Sequence, residues 1–279
     1  MFDQITVFEG GTIHHGSNNK RVYVMKLPED NVPRFLDKIE ILAGANAYEK
    51  IFVKTPQSLA DLLLQREYEC EARVPGFYRN GEDCCFMSRF LIPVRREVSD
   101  AVIIDDVLQT ARGCVPAPAP KLPDDMKIRR TVPGDAQAMA EVYKQVFASY
   151  PFPIHNPEYL RETMADNIIY HGIWQNDKLV ALASAELDRA DRNSEMTDFA
   201  VLPEQRGQKL GSILLASLEA DLHKNEDIKT LYTIARAASH GMNCTFARMG
   251  YNYGGRLINN TQIAGKIESM NIWHKEAVL

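Results

Sequence analysis

Residues 195–224, EMTDFAVLPEQRGQKLGSILLASLEADLHK, restrict what this chain can fold into more than any other stretch. Glu195–Leu202 carries β-leaning residues and stops at Pro203, as a strand does. A basic turn follows, Gln205-Arg206-Gly207-Gln208-Lys209-Leu210-Gly211. Leu210, Ile213, Leu214, Leu218 and Leu222 then recur at helical spacing, which predicts an amphipathic helix with one buried face. A helix start presents unpaired N–H groups and a partial positive charge, so strand, basic turn and helix together make a seat for phosphate.

Two common phosphate loops are missing from the sequence: GxxxxGK[ST], and GxGxxG early in a βαβ unit. The run Arg206-Gly207-Gln208-Lys209-Leu210-Gly211, continued by Ser212, instead resembles [RQ]xxGx[GA], the acyl-CoA pyrophosphate loop of the GCN5-related N-acetyltransferases (the GNAT superfamily). Lys209 stands where that family usually places its first glycine. Its backbone N–H can still donate, but a side chain then sits near the pyrophosphate.

Composition narrows the function classes. The 279 residues suffice for two cores, and 45% apolar with 25% charged residues describes an ordinary globular chain. Against 37 acidic residues stand 32 basic ones, a formal charge of −5, with no clustered basic run, so nucleic acid is not an expected partner. No apolar run approaches the roughly 20 residues of a membrane span, and MFDQITVFEGG has no signal-peptide pattern. Membrane association is therefore not expected, and the cytoplasm is the default location. Cys70, Cys84, Cys85, Cys114 and Cys244 show no CxxC spacing and read as reduced, mostly buried thiols. His14-His15 is the one hint of a metal site, but adjacent histidines point different ways, so no metal is expected.

Along the chain, Ile5–Glu9 and Arg21–Leu27 read as strands around the turn Gly16-Ser17-Asn18-Asn19. Asn31–Gly44 reads as a helix, Tyr48–Lys54 as a strand and Pro56–Arg66 as a helix. Tyr68–Tyr78 and Cys84–Ile92 form a strand pair across Asn80-Gly81. Val115–Pro123 holds Pro116, Pro118, Pro120 and Pro123, an extended spacer that cannot build a core. The expected division is an N-terminal α+β domain over 1–112, a linker over 113–123 and a second domain over 124–279. In the latter, Met126–Thr131 is a strand, Ala136–Phe147 a helix capped by Asp135, and Pro157–Asp166 a second helix. Strands at Ile168–Gln175, Leu179–Asp188 and Glu195–Leu202 precede the basic turn and its helix. Thr230–Ala235, a helix over Met242–Met249, Tyr251–Leu257 and Glu268–His274 complete the chain. This order, β-α-α-β-β-β-α-β-α-β-β, also resembles the GNAT fold, an α/β (α+β) architecture. Lys50–Phe90 echoes Leu231–Trp273. The N-terminal half thus reads either as a degenerate half-repeat or as an unrelated small α+β domain.

That resemblance implies acetyl-CoA as acetyl donor and direct transfer to an amine. A lysine-type ammonium has a pKa of about 10.4, so neutralising it at pH 7 costs roughly 4–5 kcal/mol, which a general base would relieve. Glu195 lies where some GNAT enzymes carry a catalytic glutamate. Asp198 is on the same strand but the opposite face, unless a bulge turns both toward one cleft. The backbone of Phe199, Ala200 and Val201 should pair with the pantetheine arm, and Asn243 is a further CoA contact. Many members place a tyrosine, as acid for the CoA thiolate, four residues before the glycine that closes the penultimate helix. Here that position is Phe246, leaving Tyr232, Tyr251 or no acid at all.

YPFPI (150–154), TIAR (233–236), GMN (241–243), NNT (259–261) and ESMNIW (268–273) are similar to a narrower family, the β-lysine N-acetyltransferases. VPGFYRNGEDCCFMSRF and HHGSNNKRVYVMKL extend the likeness into the N-terminal half. It implies acetylation of the side-chain (ε) amine of β-lysine to give a compatible solute, Nε-acetyl-β-lysine, with a lysine 2,3-aminomutase supplying the substrate. Such a zwitterion wants carboxylates and cations, and Asp198, Glu268, Arg236 and Asn260 are of the right types, with Tyr150 and Phe152 for the aliphatic stem. Another small amine (a polyamine, α-lysine, an aminoglycoside) or a non-catalytic acyl-CoA sensor are the rival readings. A sheet edge in each domain would suit a homodimer.

Overall fold

The computed structural model describes residues 3–263 and 265–277. The N-terminal half contains β1 (Gln4–Phe8), β2 (Gly11–Gly16), β3 (Arg21–Lys26), α1 (Val32–Ala45), β4 (Lys50–Pro56), α2 (Ala60–Leu64), β5 (Glu69–Val74), β6 (Cys84–Phe90) and α3 (Ala101–Arg112). The C-terminal half contains β7 (Met126–Arg130), α4 (Ala136–Val146), α5 (Pro157–Asp166), β8 (Ile168–Gln175), β9 (Lys178–Asp188), β10 (Asn193–Val201), α6 (Leu210–Asn225), β11 (Thr230–Arg236), α7 (His240–Arg248), β12 (Asn252–Ile263) and β13 (Lys266–Glu276). The GNAT element order expected for the C-terminal half is the order found.

Two elements escape the sequence pattern. In β2, GTIHHG, two histidines hide the alternation, although His14 is as buried as Ile13. In α3 the run AVII puts exposed Val102 and Ile103 beside buried Ile104, which blurs the helical period. Asp135 does not cap α4 as expected. It closes a short 3₁₀ turn, where its carboxylate accepts the Val132 N–H at 2.8 Å and pairs with Arg129.

All thirteen strands form one sheet, ordered β1-β2-β3-β4-β6-β5-β12-β13-β11-β10-β9-β8-β7. Outward from the β5–β12 contact the two halves repeat each other. β3 and β4 run parallel as β10 and β11 do, and β4 pairs antiparallel with β6 as β11 does with β13. α1 takes the place of α6, and α2 that of α7. Even the helix starts agree: Asn31 before α1 and Lys209 before α6 both adopt left-handed backbone, at φ 56° and 58°. The topology therefore favours the half-repeat over an unrelated domain. Glu29 and Asp30 stand ahead of α1 where cations would be needed, so that turn offers an anion nothing.

The halves are locked at the seam. Gly255, at φ +140°, lies so close to β5 that a Cβ would come within 2.3 Å of the Glu71 carbonyl oxygen. Beside it, the Lys50 ammonium is 2.7 Å from Glu71, the two side chains 0% and 4% exposed. The same ammonium donates to the Ile258 carbonyl, and Glu71 accepts the Ile258 N–H and the Ser88 hydroxyl. Arg21 donates to the Asn260 carbonyl, and Arg95 to the carbonyls of Asn259 and Asn19. All these contacts centre on an irregularity between Leu257 and Thr261, where Asn259 takes φ 43°.

Tyr23, Phe52, Phe77 and Phe86 of the first half pack with Tyr232, Leu257 and Ile272 of the second. The curled sheet thereby brings β3 and β4 to face β9–β11. The proline-rich segment follows α7, with the Ala117 N–H donating to Arg248. Glu71→Ala should leave the buried Lys50 ammonium unpaired and cost about 3–5 kcal/mol of stability. Denaturant titration reads this, and a loss under about 1 kcal/mol would mean the pair does not hold the seam.

Candidate active site

β10 and β11 are neighbours for only three residue pairs, Asn193 with Thr230, Ser194 with Leu231 and Glu195 with Tyr232. Beyond Glu195 they part, and the edges that face each other lose their ladder partners. On its other side β10 bulges between Thr197 and Ala200, where Asp198 is left-handed at φ 52°, before Ala200 and Val201 resume pairing with Leu182 and Ala181. The gap opens into a cavity of about 140 Å³ whose lining includes Tyr150, Asp198, Phe199, Ala235, Arg236 and Phe246. Backbone groups pointing into such a split can bind an extended, amide-bearing chain as another strand would.

The basic turn lies past the end of β10. Gly207 has φ 87°, and Lys209 holds the left-handed conformation for which a glycine is the usual choice. The departure from the loop pattern therefore leaves its shape intact. Arg206, Gln208 and Lys209 are exposed or nearly so, and the first-turn N–H groups of Leu210 and Gly211 have no helical carbonyl to bond. The Ser212 N–H is already used, donating to Lys209 at 3.0 Å.

Adjacent side chains on β8 reveal which face each group occupies. The Tyr170 hydroxyl meets Thr163 of α5, whereas the His171 ring meets Ser217 and Asp221 of α6, so the two helices lie on opposite faces. The register carries Tyr170 to Ser184, and two residues on Glu186 opposes Glu195. Glu186 and Glu195 are thus cross-strand neighbours on the α5 face. Burial, then the Glu186 charge, push the Glu195 carboxyl up to about 8, with Lys54 and the Tyr232 hydroxyl opposing. Burial also raises Asp198. Its oxygens are engaged, one by the Tyr150 hydroxyl at 2.5 Å and the other by Ser184 at 2.7 Å. Of the two carboxylates expected to do chemistry, Glu195 carries the raised carboxyl beside Glu186, while Asp198 fixes Tyr150 at the cavity wall.

The other expected site residues are dispersed. Asn243 is fully buried, donating to the carbonyls of Arg236 and Ser239 and accepting from Asn271 and Trp273, which leaves little capacity for CoA. Arg236 lines the cavity but forks onto Glu268, both contacts 2.8 Å. Asn260 belongs to the seam, its carbonyl held by Arg21, and Phe152 packs on His14 with ring centroids 4.9 Å apart. Phe246 sits edge-on to Phe199 and Tyr251. Tyr251 lies behind it and Tyr232 beside Lys54, so the phenol at the cavity wall is Tyr150. Sequence reasoning did not find Lys54 or Glu186. The signal was present in β4, KIFVKTP, where lysines at positions 50 and 54 share the face of Phe52 in a largely buried strand.

Among the described residues no group of three His, Cys, Asp or Glu is placed to hold a metal ion, and no helix is long and apolar enough to cross a membrane. Residues 137–251 match the acetyltransferase (GNAT) family profile. The β-lysine N(6)-acetyltransferase of Methanococcus maripaludis is 36% identical over 257 residues, 92% of this chain and 93% of that protein. The protein of the same name from Methanosarcina mazei is 34% identical over 84% of this chain and 94% of its own length. The N-acetyltransferase YodP of Bacillus subtilis is 34% identical over 95% of each.

The shifted carboxyl has a thermodynamic signature. Native Glu195 keeps its proton up to about pH 8, whereas the unfolded chain loses it near the ordinary 4.5. Between those values the native state binds more protons, so this group lowers stability as pH rises. Glu195→Gln should therefore gain Tm over the wild type on going from pH 6 to pH 9. A Tm difference independent of pH would remove the perturbed carboxyl.

Proposed function

The chain belongs to the GNAT acetyltransferases, in the branch of its β-lysine N-acetyltransferase relatives, and from that premise we propose how this N-acetyltransferase moves the acetyl group of acetyl-CoA to the ε-amine of β-lysine. The observation that carries the reading is the split between β10 and β11, with the raised Glu195 carboxyl at its apex and a cationic helix start at its far end.

Arg206, Lys209 and the first-turn amides of α6 receive the pyrophosphate of acetyl-CoA, and the unpaired edge of β10 receives the pantetheine arm. Glu195, as carboxylate, takes the proton of the incoming ε-ammonium, and the neutral nitrogen attacks the thioester carbon. In this reading a bulge N–H of β10 holds the oxygen that becomes negative. The thiolate leaves toward the Phe246 wall. A thiol pKa near 8.5 means that it needs little protonic help, and Tyr150 is the hydroxyl at hand. The product is a compatible solute, the cytoplasm the location, and a lysine 2,3-aminomutase the source of substrate. The sheet edges β1 and β7 are the surfaces on which a homodimer would form.

With acetyl-CoA, thiol release should be selective for β-lysine over α-lysine, spermidine and an aminoglycoside, with the acetyl group on the ε-nitrogen by mass spectrometry. Selectivity for a different amine would overturn the substrate. The wild-type kcat/KM should rise through about pH 8. Glu195→Gln should lose that inflection, fall at least about 100-fold at pH 7 and recover only toward the amine's own pKa of about 10.4. A wild-type profile in the variant would remove Glu195 as base. Arg206→Ala should raise the KM for acetyl-CoA about tenfold and leave that for β-lysine unchanged. An unchanged KM for acetyl-CoA would mean that the pyrophosphate sits elsewhere.

A further inference from the structure

A second cavity, of about 410 Å³, lies where the curled sheet brings its two halves face to face. The C-terminal half lines it with Glu186, Asp188, Arg189 and Tyr232, and the N-terminal half with Lys26 and Lys54; Arg189 is already paired with Glu226 and Lys26 is exposed, so Lys54 is the cation at the inner wall. It opens on the α5 face of the sheet, the face that carries Glu195, and Tyr232 is the register partner of Glu195. The cavity therefore adjoins the base, on the N-terminal side of the split that would hold the acetyl donor.

Lys54 is the unusual group in this wall. It projects from β4 among the rings of Tyr23, Phe77 and Tyr232, each 5.8–5.9 Å from its ammonium. Its contact to the Tyr232 hydroxyl is long, 3.5 Å. Among the described residues no carboxylate comes within ion-pair distance of it, although Lys50 on the same face of the same strand has Glu71 at 2.7 Å. Tyr23 and Tyr232 contact this ammonium and the Glu195 and Glu186 charges lie near it without pairing, so a largely desolvated cation keeps a donor for a carboxylate that arrives with a ligand. The negative charges of Glu186 and Asp188 line the same space and suit an ammonium. A cation and carboxylates in one cavity match an amino acid and do not match a polyamine, which has no carboxylate to offer.

We infer that the degenerate N-terminal half supplies the acceptor's carboxylate anchor, Lys54, and that Glu186 and Asp188 hold the ammonium that is not acetylated. This rests on the acceptor being a diamino acid, as proposed above. The half that lost its phosphate seat would then act as the wall that distinguishes a diamino acid from a simple diamine, which gives the duplicated lobe a role in specificity.

The test compares β-lysine (3,6-diaminohexanoate) with 1,4-diaminopentane, the same molecule without its carboxyl group. Binding is measured by calorimetry in the presence of CoA, and turnover with acetyl-CoA. The wild type should prefer β-lysine, and Lys54→Met should shrink that preference about 10- to 100-fold in Kd and in the kcat/KM ratio. Lys54→Arg, which keeps the charge, should retain most of it, and supplies the answer if the methionine variant does not fold. An equal loss for both ligands would overturn the anchor, since it would mean that Lys54 acts only through Glu195 or through packing. Equal binding of the two ligands by the wild type would overturn it as well. Tight, carboxylate-dependent binding of β-lysine without turnover would leave the anchor standing and overturn the proposed reaction instead. No binding of β-lysine would overturn both.

Discussion

The buried pair of Lys50 and Glu71 is the contact on which the rest depends. Neither charge is stable alone in that setting, and each is completed by Ile258, a residue nearly two hundred positions away. The first half therefore satisfies its polar interior with backbone from the second. Arg21 and Arg95 extend the arrangement by gripping two adjacent carbonyls, those of Asn260 and Asn259, within the β12 irregularity. Once β12 is held, β13 and β11 follow in register, and the face of β11 that carries Tyr232 closes against Tyr23, Phe77 and Phe86. The electrostatics of the site then follow from the position of one lysine on β4 relative to two glutamates on β9 and β10.

Of the residues held in left-handed backbone, three fall at the site and the seam: Asp198 in the β10 bulge, Lys209 at the start of α6 and Asn259 beside β5. Each costs about 1 kcal/mol or more for an L-residue, and two of them are fixed by side-chain contacts. Asp198 is held by Tyr150 and Ser184, and Asn259 by the carbonyls of Arg95 and Glu97. The bulge swings the Asp198 carboxylate toward the cavity without moving Glu195, which remains in the ladder with Tyr232.

Much of this was legible in the sequence because it is local. The strand, basic turn and helix over 195–224 are fixed by spacing, Pro203 and glycines, and the whole order of elements from Met126 onward follows from similar cues. Asn243 and the Arg236–Glu268 pair were of the right chemical types, but their hydrogen bonds are spent on partners that only tertiary contact brings near, and Asn260 lies in the seam, where Arg21 holds its backbone carbonyl. Conversely Lys54 and Glu186, more than 130 residues apart, become neighbours only because the sheet curls, and no local pattern encodes that. The shift on Glu195 has the same origin, since burial and a cross-strand carboxylate produce it. The helix α3 was hidden for a related reason: its partner α7 lies in the other half, so its apolar side could not be identified from its own residues.

A single sheet running through both halves bears on the catalytic cycle. In many two-lobed enzymes the lobes rock apart to admit substrate and release product. Here such rocking would have to part Gly255 from β5 and strip Lys50 of its carboxylate and its carbonyl, leaving both charges buried without partners. The lobes must therefore stay together while ligands come and go. Outside the sheet, the aromatic stretch between α4 and α5 puts Tyr150 at one cavity wall and leans Phe152 on the first half. The continuous sheet thus works as one frame for both halves, with the aromatic loop laid across it and not built into it.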